Sequence, residues 1–172
     1  MQLAIHPSGR YLLAAFADDS EQPHAALLLN AETLEPVGKS FAHTDGINCV
    51  AFSPDGRFLA TGGEDAVARV WNTATGESVT PWLKHSRGLC SVNFSPDGKR
   101  LVTASMGGEM RVWDAQTGEP LGPPLSNGER LWRAVFSRSG NEILSISGAI
   151  EGTHMGNHGA ARMWKVSNSQ ES

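Results

Sequence analysis

The chain has 172 residues, of which 40% are hydrophobic, and a formal net charge of −4. These values are ordinary for one globular domain that buries a core. The 14 lysine and arginine residues are scattered, whereas a surface that binds nucleic acid needs them on one face. No apolar run approaches the ~20 residues that span a bilayer. We therefore expect no nucleic-acid partner, no membrane partner and a cytoplasmic location.

One repeat, with a step of 42 residues, runs through the middle of the sequence. Phe-Ser-Pro-Asp-Gly occurs at 52–56 and 94–98, and Arg-Val-Trp occurs at 69–71 and 111–113. A repeat of about 40 to 45 residues with an early Pro-Asp-Gly turn and a late tryptophan is typical of a β-propeller, in which each blade is a sheet of four short strands. The spacing therefore predicts an all-β fold built from four-stranded antiparallel blades.

Weaker copies lie on either side of the two clear ones. The turn-like segment at 5–9 precedes the first clear turn by 47 residues, so the first copy carries five extra residues. The segment at 136–140 follows the second clear turn by 42 residues, but nine residues are inserted within 148–159 before the last tryptophan. The four copies fill a single domain, 1–172. We predict blades at about 1–42, 43–84, 85–126 and 127–166, and a polar tail at 167–172.

Within each clear copy we predict an antiparallel meander whose first strand is innermost. The first three strands are expected at 47–52, 58–61 and 66–71, and at 89–94, 101–104 and 109–113. The fourth strands, at 78–84 and 120–125, contain Pro81, Pro120, Pro123 and Pro124. Because proline donates no backbone hydrogen bond, a strand rich in it belongs at the edge of a sheet. The fourth strand is therefore predicted at the outer rim of each blade.

The ends of the repeat series predict an incomplete ring. The fourth copy ends its third strand at Trp164, and two residues precede the first strand of the first copy. We therefore predict a partial propeller of about four blades in which the last blade lacks its outer strand. The ring would be completed by the upstream half of a longer chain or by a second copy of this chain. We favour the upstream half, because propellers commonly close by lending an N-terminal strand to the last blade.

The motifs in the two clear copies resemble the WD40 repeat family. The resemblance rests on Phe-Ser-Pro-Asp-Gly, on the endings Arg-Val-Trp-Asn and Arg-Val-Trp-Asp, and on the Thr-Gly-Glu that follows each ending. It is close over 41–125 and looser elsewhere. The segment Thr-Gly-Glu-Pro-Leu-Gly-Pro-Pro-Leu is similar to segments of bacterial WD40 arrays. The chain also looks like the C-terminal part of a larger propeller.

The resemblance implies that a His, a Ser or Thr, an Asp and a Trp form a buried hydrogen-bonded network in each blade. Such a network rigidifies a thin sheet when every polar group has a partner. The second blade has the complete set: His43, Thr61, Asp65 and Trp71.

The other blades depart from this set. The third blade has His85, Thr103 and Trp113, with Gly107 at the Asp position. The fourth has Ser145 and Trp164, with Asn127 at the His position. The first has Ala14 and Leu29 where the Thr and the Trp are expected. The resemblance therefore implies that only the second blade is fully connected.

The resemblance also implies that partners dock on one face of the disc. That face is formed by the turns that precede each first strand and by the turns between second and third strands. The candidate partner-binding residues on it are Asp45, Glu64, Arg87, Met106, Glu109, Arg130 and Trp132. Tryptophan and arginine are typical interface anchors. Two readings of Trp132 stay open, a contact anchor and a residue that packs under the inserted loop of its own blade.

The sequence favours a binding function over a catalytic one. Outside the network positions it has no histidine and carboxylate paired with a nucleophile, no Gly-rich phosphate loop and no cysteine metal pattern. We therefore predict a non-catalytic interaction scaffold without a cofactor or metal, which presents loops to a protein or peptide partner, with signalling as one setting. Two alternatives stay open: a metal-dependent hydrolase with Glu151, His154 and His158 as ligands, and a structural spacer of a larger signalling protein.

Overall fold

The computed structural model describes residues 2–15, 24–126, 128–148 and 159–166, which form four antiparallel sheets. The first sheet contains β1 (Gln2–Ile5), β2 (Tyr11–Ala15), β3 (Ala25–Asn30) and β4 (Pro36–Ala42). The second contains β5 (Ile47–Phe52), β6 (Phe58–Gly63), β7 (Val67–Asn72) and β8 (Leu83–Lys84). The third contains β9 (Leu89–Phe94), β10 (Arg100–Ser105), β11 (Glu109–Asp114) and β12 (Leu125–Ser126). The fourth contains β13 (Leu131–Phe136), β14 (Glu142–Ser147) and β15 (Ala160–Lys165).

The strands within each sheet follow one another in chain order, as a meander requires. The predicted all-β fold of antiparallel blades is therefore confirmed, and the fourth blade has three strands within the described residues. No helix in the described ranges is long and apolar enough to cross a membrane.

The four sheets pack face to face as consecutive blades. Their first strands contact one another in series, β1 with β5, β5 with β9 and β9 with β13. A cluster of buried apolar side chains lies between each pair of neighbouring blades. These clusters are centred on Leu13, Phe41 and Trp71, on Val70, Leu89 and Trp113, and on Val102, Met110 and Ile143. Each interior blade therefore shares its core with the blade before it and the blade after it.

The Phe-Ser-Pro-Asp-Gly motif closes the hairpin between the first and second strands. In the second blade, Ser53 Oγ donates to Asp55 Oδ1 over 2.6 Å, and the same carboxylate oxygen accepts from the backbone N–H of Arg57 over 3.0 Å. The bond from Ser53 is the main reason that the pKa of Asp55 is lowered. Gly56 follows with φ of 73°, a conformation that glycine adopts without strain. The motif is therefore a self-contained turn, which explains why it repeats.

The fourth strands are shorter than the sequence predicts. In place of continuous strands at 78–84 and 120–125, ladder pairing is restricted to β8 and β12, with isolated bridges at Trp71–Ser78 and Trp113–Pro120. Pro81 and its counterparts in the third blade lack the N–H that a ladder needs. The prediction of an outer position was right, but the predicted lengths were wrong because the prolines interrupt the pairing.

The two outward faces of the blade series leave apolar side chains uncovered. Ile5 on the first blade is 66% exposed, and Met163 on the fourth blade is 65% exposed. Met163 pairs with Leu144 in the register in which Val112 pairs with Val102 one blade earlier. Val112 is buried because the fourth blade covers it. The uncovered positions are therefore those that face a neighbouring blade elsewhere in the chain.

Gly56→Ala should destabilise the chain more than Gly98→Ala. The φ angles are 73° and 71°, so both substitutions carry a similar backbone strain of about 1 to 2 kcal/mol. A methyl group at Gly56 would lie 2.2 Å from His6 Nε2, which is held between two aromatic rings, whereas a methyl group at Gly98 would lie 3.6 Å from Pro54 Cδ. We expect an extra loss of about 1 kcal/mol for Gly56→Ala in urea denaturation. Equal losses would contradict close packing of the first two blades here.

Candidate functional site

The second blade contains a complete network of buried polar groups. Thr61 on β6 is its centre, because its Oγ1 lies 2.7 Å from His43 Nε2 and accepts from Trp71 Nε1 over 2.9 Å. His43 Nδ1 lies 2.9 Å from Asp65 Oδ2. Since an ionised Asp65 only accepts, it accepts from Nδ1–H, and in the neutral ring Nε2 accepts the hydroxyl proton of Thr61. The network joins β6, β7, their turn and the segment after β4.

Asp65 also organises the turn between β6 and β7. Its carboxylate accepts from the backbone N–H of Thr44 over 3.1 Å and of Val67 over 3.4 Å. Ala66, between Asp65 and Val67, has φ of 62°, which is unusual for a residue other than glycine. The bonds to Asp65 hold that conformation, so this carboxylate serves both the imidazole and the turn.

The third blade has the same core network without the carboxylate. Thr103 Oγ1 lies 2.7 Å from His85 Nε2 and accepts from Trp113 Nε1 over 2.8 Å. His85 Nδ1 is buried and has no hydrogen-bond partner within the described residues. Burial lowers the pKa of His85 to about 4, so the ring is neutral at pH 7.

A second substitution accompanies the loss of the carboxylate in the third blade. Gly63 precedes Asp65 by two residues, and Ser105 precedes Gly107 by two residues. A methyl group on Gly63 would lie 2.7 Å from the backbone oxygen of Gly46 and 2.9 Å from Asp65 Oδ1, so the carboxylate takes part of the space that a side chain there would need. In the third blade Ser105 fills this space, and its Oγ accepts from the N–H of Gly107 over 3.1 Å. The two positions are therefore sterically coupled.

The outer blades carry reduced networks. In the fourth blade Trp164 Nε1 donates to Ser145 Oγ over 2.8 Å. Asn127, at the His position, lies outside the described residues. In the first blade Ala14 and Leu29 offer no side-chain hydrogen bond at the Thr and Trp positions.

A groove of about 620 Å³ crosses the rim over the second, third and fourth blades. It lies at the turns between second and third strands and at the segments before β9 and β13. We call it the rim groove, and its lining residues are Glu64, Arg87, Gly88, Met106, Gly107, Gly128, Glu129 and Arg130. It therefore brings together four of the seven predicted partner-binding residues: Glu64, Arg87, Met106 and Arg130.

Arg130 and Trp132 form one unit at the edge of the rim groove. The guanidinium carbon of Arg130 lies 4.8 Å from the centre of the Trp132 ring, and an Arg130 Nη2 hydrogen bond reaches Met106 Sδ over 3.6 Å. Trp132 is 47% exposed. A large aromatic side chain is therefore available for contact beside a stacked cation.

The two other predicted partner-binding residues lie outside the rim groove. Asp45 Oδ1 accepts from the N–H of Gly46 over 2.7 Å and so caps its own turn. Glu109 pairs with Arg111 and accepts from Ser86 Oγ over 3.1 Å, on the outer side of the third blade. Neither carboxylate lines the rim groove.

The described residues contain no group of three or more His, Cys, Asp or Glu side chains that could hold a metal ion. The alternative ligand set of Glu151, His154 and His158 lies outside the described residues.

Comparison with known proteins agrees with the repeat geometry. The family model for "WD domain, G-beta repeat" matches residues 34–72 and 76–114. Residues 34–72 and 76–114 are therefore two WD40 repeats. The phase of these repeats differs from that of the blades, because residues 76–114 include β8 of the second blade together with β9, β10 and β11 of the third. Each matched WD40 repeat therefore ties the outer strand of one blade to the three inner strands of the next.

Individual relatives match stretches of 32 to 72 residues of the chain. The Schizosaccharomyces pombe protein "Target of rapamycin complex subunit wat1" is 33% identical over 72 residues, which cover 41% of this chain and 21% of that protein. Human "Striatin-4" is 31% identical over 71 residues, which cover 41% of this chain and 9% of that protein. Human "WD repeat-containing protein 86" is 56% identical over 32 residues, 19% of this chain and 8% of that protein. The chain thus matches about a fifth or less of the length of these relatives.

Sequence reasoning missed two residues that line the rim groove. Glu129 lines the groove, and it follows Arg87 by the 42-residue step that could have identified it. Gly128 is the other, and it has φ of 72°. The WD40 pattern identifies Gly107 as the residue that replaces the network aspartate. Its place in the lining of the rim groove follows from the fold alone.

Gly107→Asp should stabilise a Ser105→Gly chain more than it stabilises the natural chain. A methyl group at Gly107 would lie 3.1 Å from Cγ of the Arg87 stem and 3.3 Å from Ser105 Oγ. Removing the Ser105 side chain therefore frees part of the space that a carboxylate at 107 needs, and that carboxylate would then accept from His85 Nδ1–H. We expect a coupling energy of about 1 kcal/mol in a double-mutant cycle of urea unfolding. Additive effects would contradict the steric coupling of the two positions.

His85 should make part of the stability pH-dependent. Its pKa is about 4 in the folded chain and about 6.5 in the unfolded chain, so the unfolded chain binds the extra proton between these values. The stability contributed by the neutral ring is therefore present above pH ~6.5 and is lost as the pH falls toward ~4. His85→Gln should flatten the free energy of unfolding between pH 7 and pH 4.5. The same slope in both chains would exclude this role.

Proposed function

We propose that this chain is a non-catalytic scaffold that binds a protein or peptide partner at the rim groove. The observation that carries the proposal is the exposed Trp132 ring beside the stacked Arg130 guanidinium, at the edge of a groove of about 620 Å³. Tryptophan and arginine contribute most often to the energetic centres of protein interfaces. The groove crosses three blades that share packed cores, so its walls are preorganised for contact.

The polar groups of the blade networks have structural partners, which supports a binding role over a catalytic one. The His43 and Asp65 pair is bonded to Thr61 and to backbone N–H groups, and the His43 side chain is fully buried. A general base needs access to the proton of a substrate. We propose that these groups hold the blades together and that the scaffold works without a cofactor.

The setting of the scaffold is a further part of the proposal. The yeast relative is named as a subunit of a complex, and WD40 repeats suit assembly because one rim presents several loops at once. We propose a role in a multiprotein assembly of the cytoplasm, with signalling as the leading setting.

We also propose that further blades complete the ring. The apolar positions of the fourth blade that are uncovered, such as Leu144 and Met163, correspond in register to Val102 and Val112, which are buried against the next blade. Covering these positions would remove apolar surface from water at about 25 cal/mol per Å². The upstream half of a longer chain is the preferred source of these blades, and a second copy of this chain is the alternative.

The partner-binding proposal predicts that binding requires the rim groove edge. Peptides are first selected from a random 12-residue display library for binding to the full natural chain. They should bind the Trp132→Ala chain at least about tenfold more weakly than the natural chain, as expected for loss of one interface anchor. Arg57→Gln, on the opposite rim, serves as the control and should leave affinity unchanged. Thermal melting of each variant separates lost binding from lost folding. Selected peptides that bind both variants equally would refute a site at the rim groove.

The ring proposal predicts self-association of the isolated chain. When no other blade is available, the uncovered face around Met163 of one copy can pack against the uncovered face around Ile5 of another copy. The average molar mass in solution should therefore rise with protein concentration. Met163→Lys should suppress this rise in analytical ultracentrifugation, whereas Lys165→Gln on the same strand should not. A natural chain that stays monomeric at high micromolar concentration would contradict completion of the ring by a second copy.

A further inference from the structure

The third blade reverses the charge of the rim relative to the second blade. The 42-residue step aligns Asp45 with Arg87 and Asp65 with Gly107. Two carboxylates in one blade therefore correspond to one guanidinium and no carboxylate in the next. This change is the reason that His85 Nδ1 has no partner, so it lowers the stability of the blade. Departures of this kind from a consistent local pattern are expected at functional sites.

The missing side chain at Gly107 also shapes the rim groove. Three glycines line the groove, Gly88, Gly107 and Gly128. A methyl group at Gly107 would lie 3.1 Å from Cγ and 3.4 Å from Cβ of Arg87, so the stem of Arg87 lies directly over this glycine. A carboxylate at 107 would displace the Arg87 stem and add a negative charge beside it.

Arg130 supplies a second guanidinium whose donors are largely unused. Its five N–H donors have one hydrogen bond within the described residues, to the weak acceptor Met106 Sδ. Its Nε is buried without a partner, and stacking on Trp132 holds the plane of the group. Neither Arg87 nor Arg130 forms an ion pair with any carboxylate in the described ranges. Two cations thus line one groove without a strong acceptor.

The acidic residues of the groove restrict which anionic ligands the two arginines can bind. Glu64 and Glu129 line the same groove, and Glu129 Oε2 accepts from Ser147 Oγ over 3.2 Å. Their charges oppose a ligand that carries two negative charges, such as a phosphate group. A single carboxylate suits the planar geometry of a guanidinium and adds one negative charge.

We propose that the rim groove binds an aspartate or glutamate side chain of the partner peptide through Arg130 and Arg87, a proposal that rests on the scaffold function above. The carboxylate accepts hydrogen bonds from the outward N–H groups of Arg130 while Trp132 contacts the flanking residues. Gly107 keeps the groove open and free of negative charge at the expense of the His85 hydrogen bond. The third blade thus gives up part of its network for specificity.

The test compares matched synthetic peptides, taken from the 12-residue display selection, that differ only in Asp or Glu against Asn or Gln. Fluorescence anisotropy with the full chain should show about tenfold to hundredfold weaker binding of the amide peptide, as expected for loss of a charge-assisted hydrogen bond. Arg130→Gln should remove this difference, and Arg133→Gln, three residues later on β13, should preserve it. Equal affinity of the acid and amide peptides for the natural chain would overturn the proposal.

The Ser105→Gly, Gly107→Asp chain provides an independent variant that is expected to fold well. It should bind the acidic peptide at least about tenfold more weakly than Ser105→Gly alone, because the new carboxylate lies beside Arg87. Unchanged affinity would overturn the role of Gly107. A phosphoserine peptide that binds more tightly than its glutamate counterpart would overturn the choice of carboxylate.

The outcomes also separate this inference from the scaffold proposal. Selected peptides that need Trp132 but ignore the acid-to-amide change would refute the carboxylate site and leave the scaffold function standing. Peptides that bind without need of Trp132 or Arg130 would refute both.

Discussion

A buried indole that must find a hydrogen-bond acceptor is the constraint on which this structure depends. Trp71, Trp113 and Trp164 each donate to a hydroxyl on the neighbouring second strand, over 2.8 to 2.9 Å. An indole N–H buried without a partner costs about 1 to 3 kcal/mol, so the hydroxyl at that position is as necessary as the ring. The bond sets the register of the second and third strands and directs each ring toward the preceding blade. Blade packing follows from that direction, since each tryptophan lies in or against the core shared with the blade before it.

The same directionality explains why the ends of the series differ from its middle. Leu29 stands at the tryptophan position of the first blade, and on that side the described residues contain no blade for it to face. At the other end, apolar positions that are buried in the interior blades are uncovered on β14 and β15. Sheets that bury both faces need a neighbour on each side, so a series of blades is stable in its interior and incomplete at its ends. The uncovered apolar positions at both ends of the series are thus a consequence of this packing rule.

The second and third blades show how stability and binding compete within one repeat. Asp65 satisfies an imidazole and two backbone N–H groups, but it lies within 2.9 Å of where a side chain at position 63 would begin, and it adds a charge near the rim. The third blade exchanges this pair for Ser105 and Gly107, which leaves His85 Nδ1 without an acceptor and opens the groove floor under Arg87. Such an exchange is tolerable because the Trp113 and Thr103 bond is retained. Variation that spares the central bond can therefore alter the rim without loss of the fold.

The sequence by itself determined the blade order, the tight Ser53–Gly56 turn and the presence of a second-strand hydroxyl for each third-strand tryptophan. These features rest on contacts within one repeat, so a fixed spacing reveals them. The tertiary structure alone decided how far the fourth strands pair, which depends on where proline leaves the ladder. It also decided that Arg87, Glu129 and Arg130 share one groove, and that Ser105 takes the space of a missing carboxylate. Those arrangements arise where separate turns meet across neighbouring blades, and the distances between such turns are set by sheet packing, which spacing along the chain does not encode.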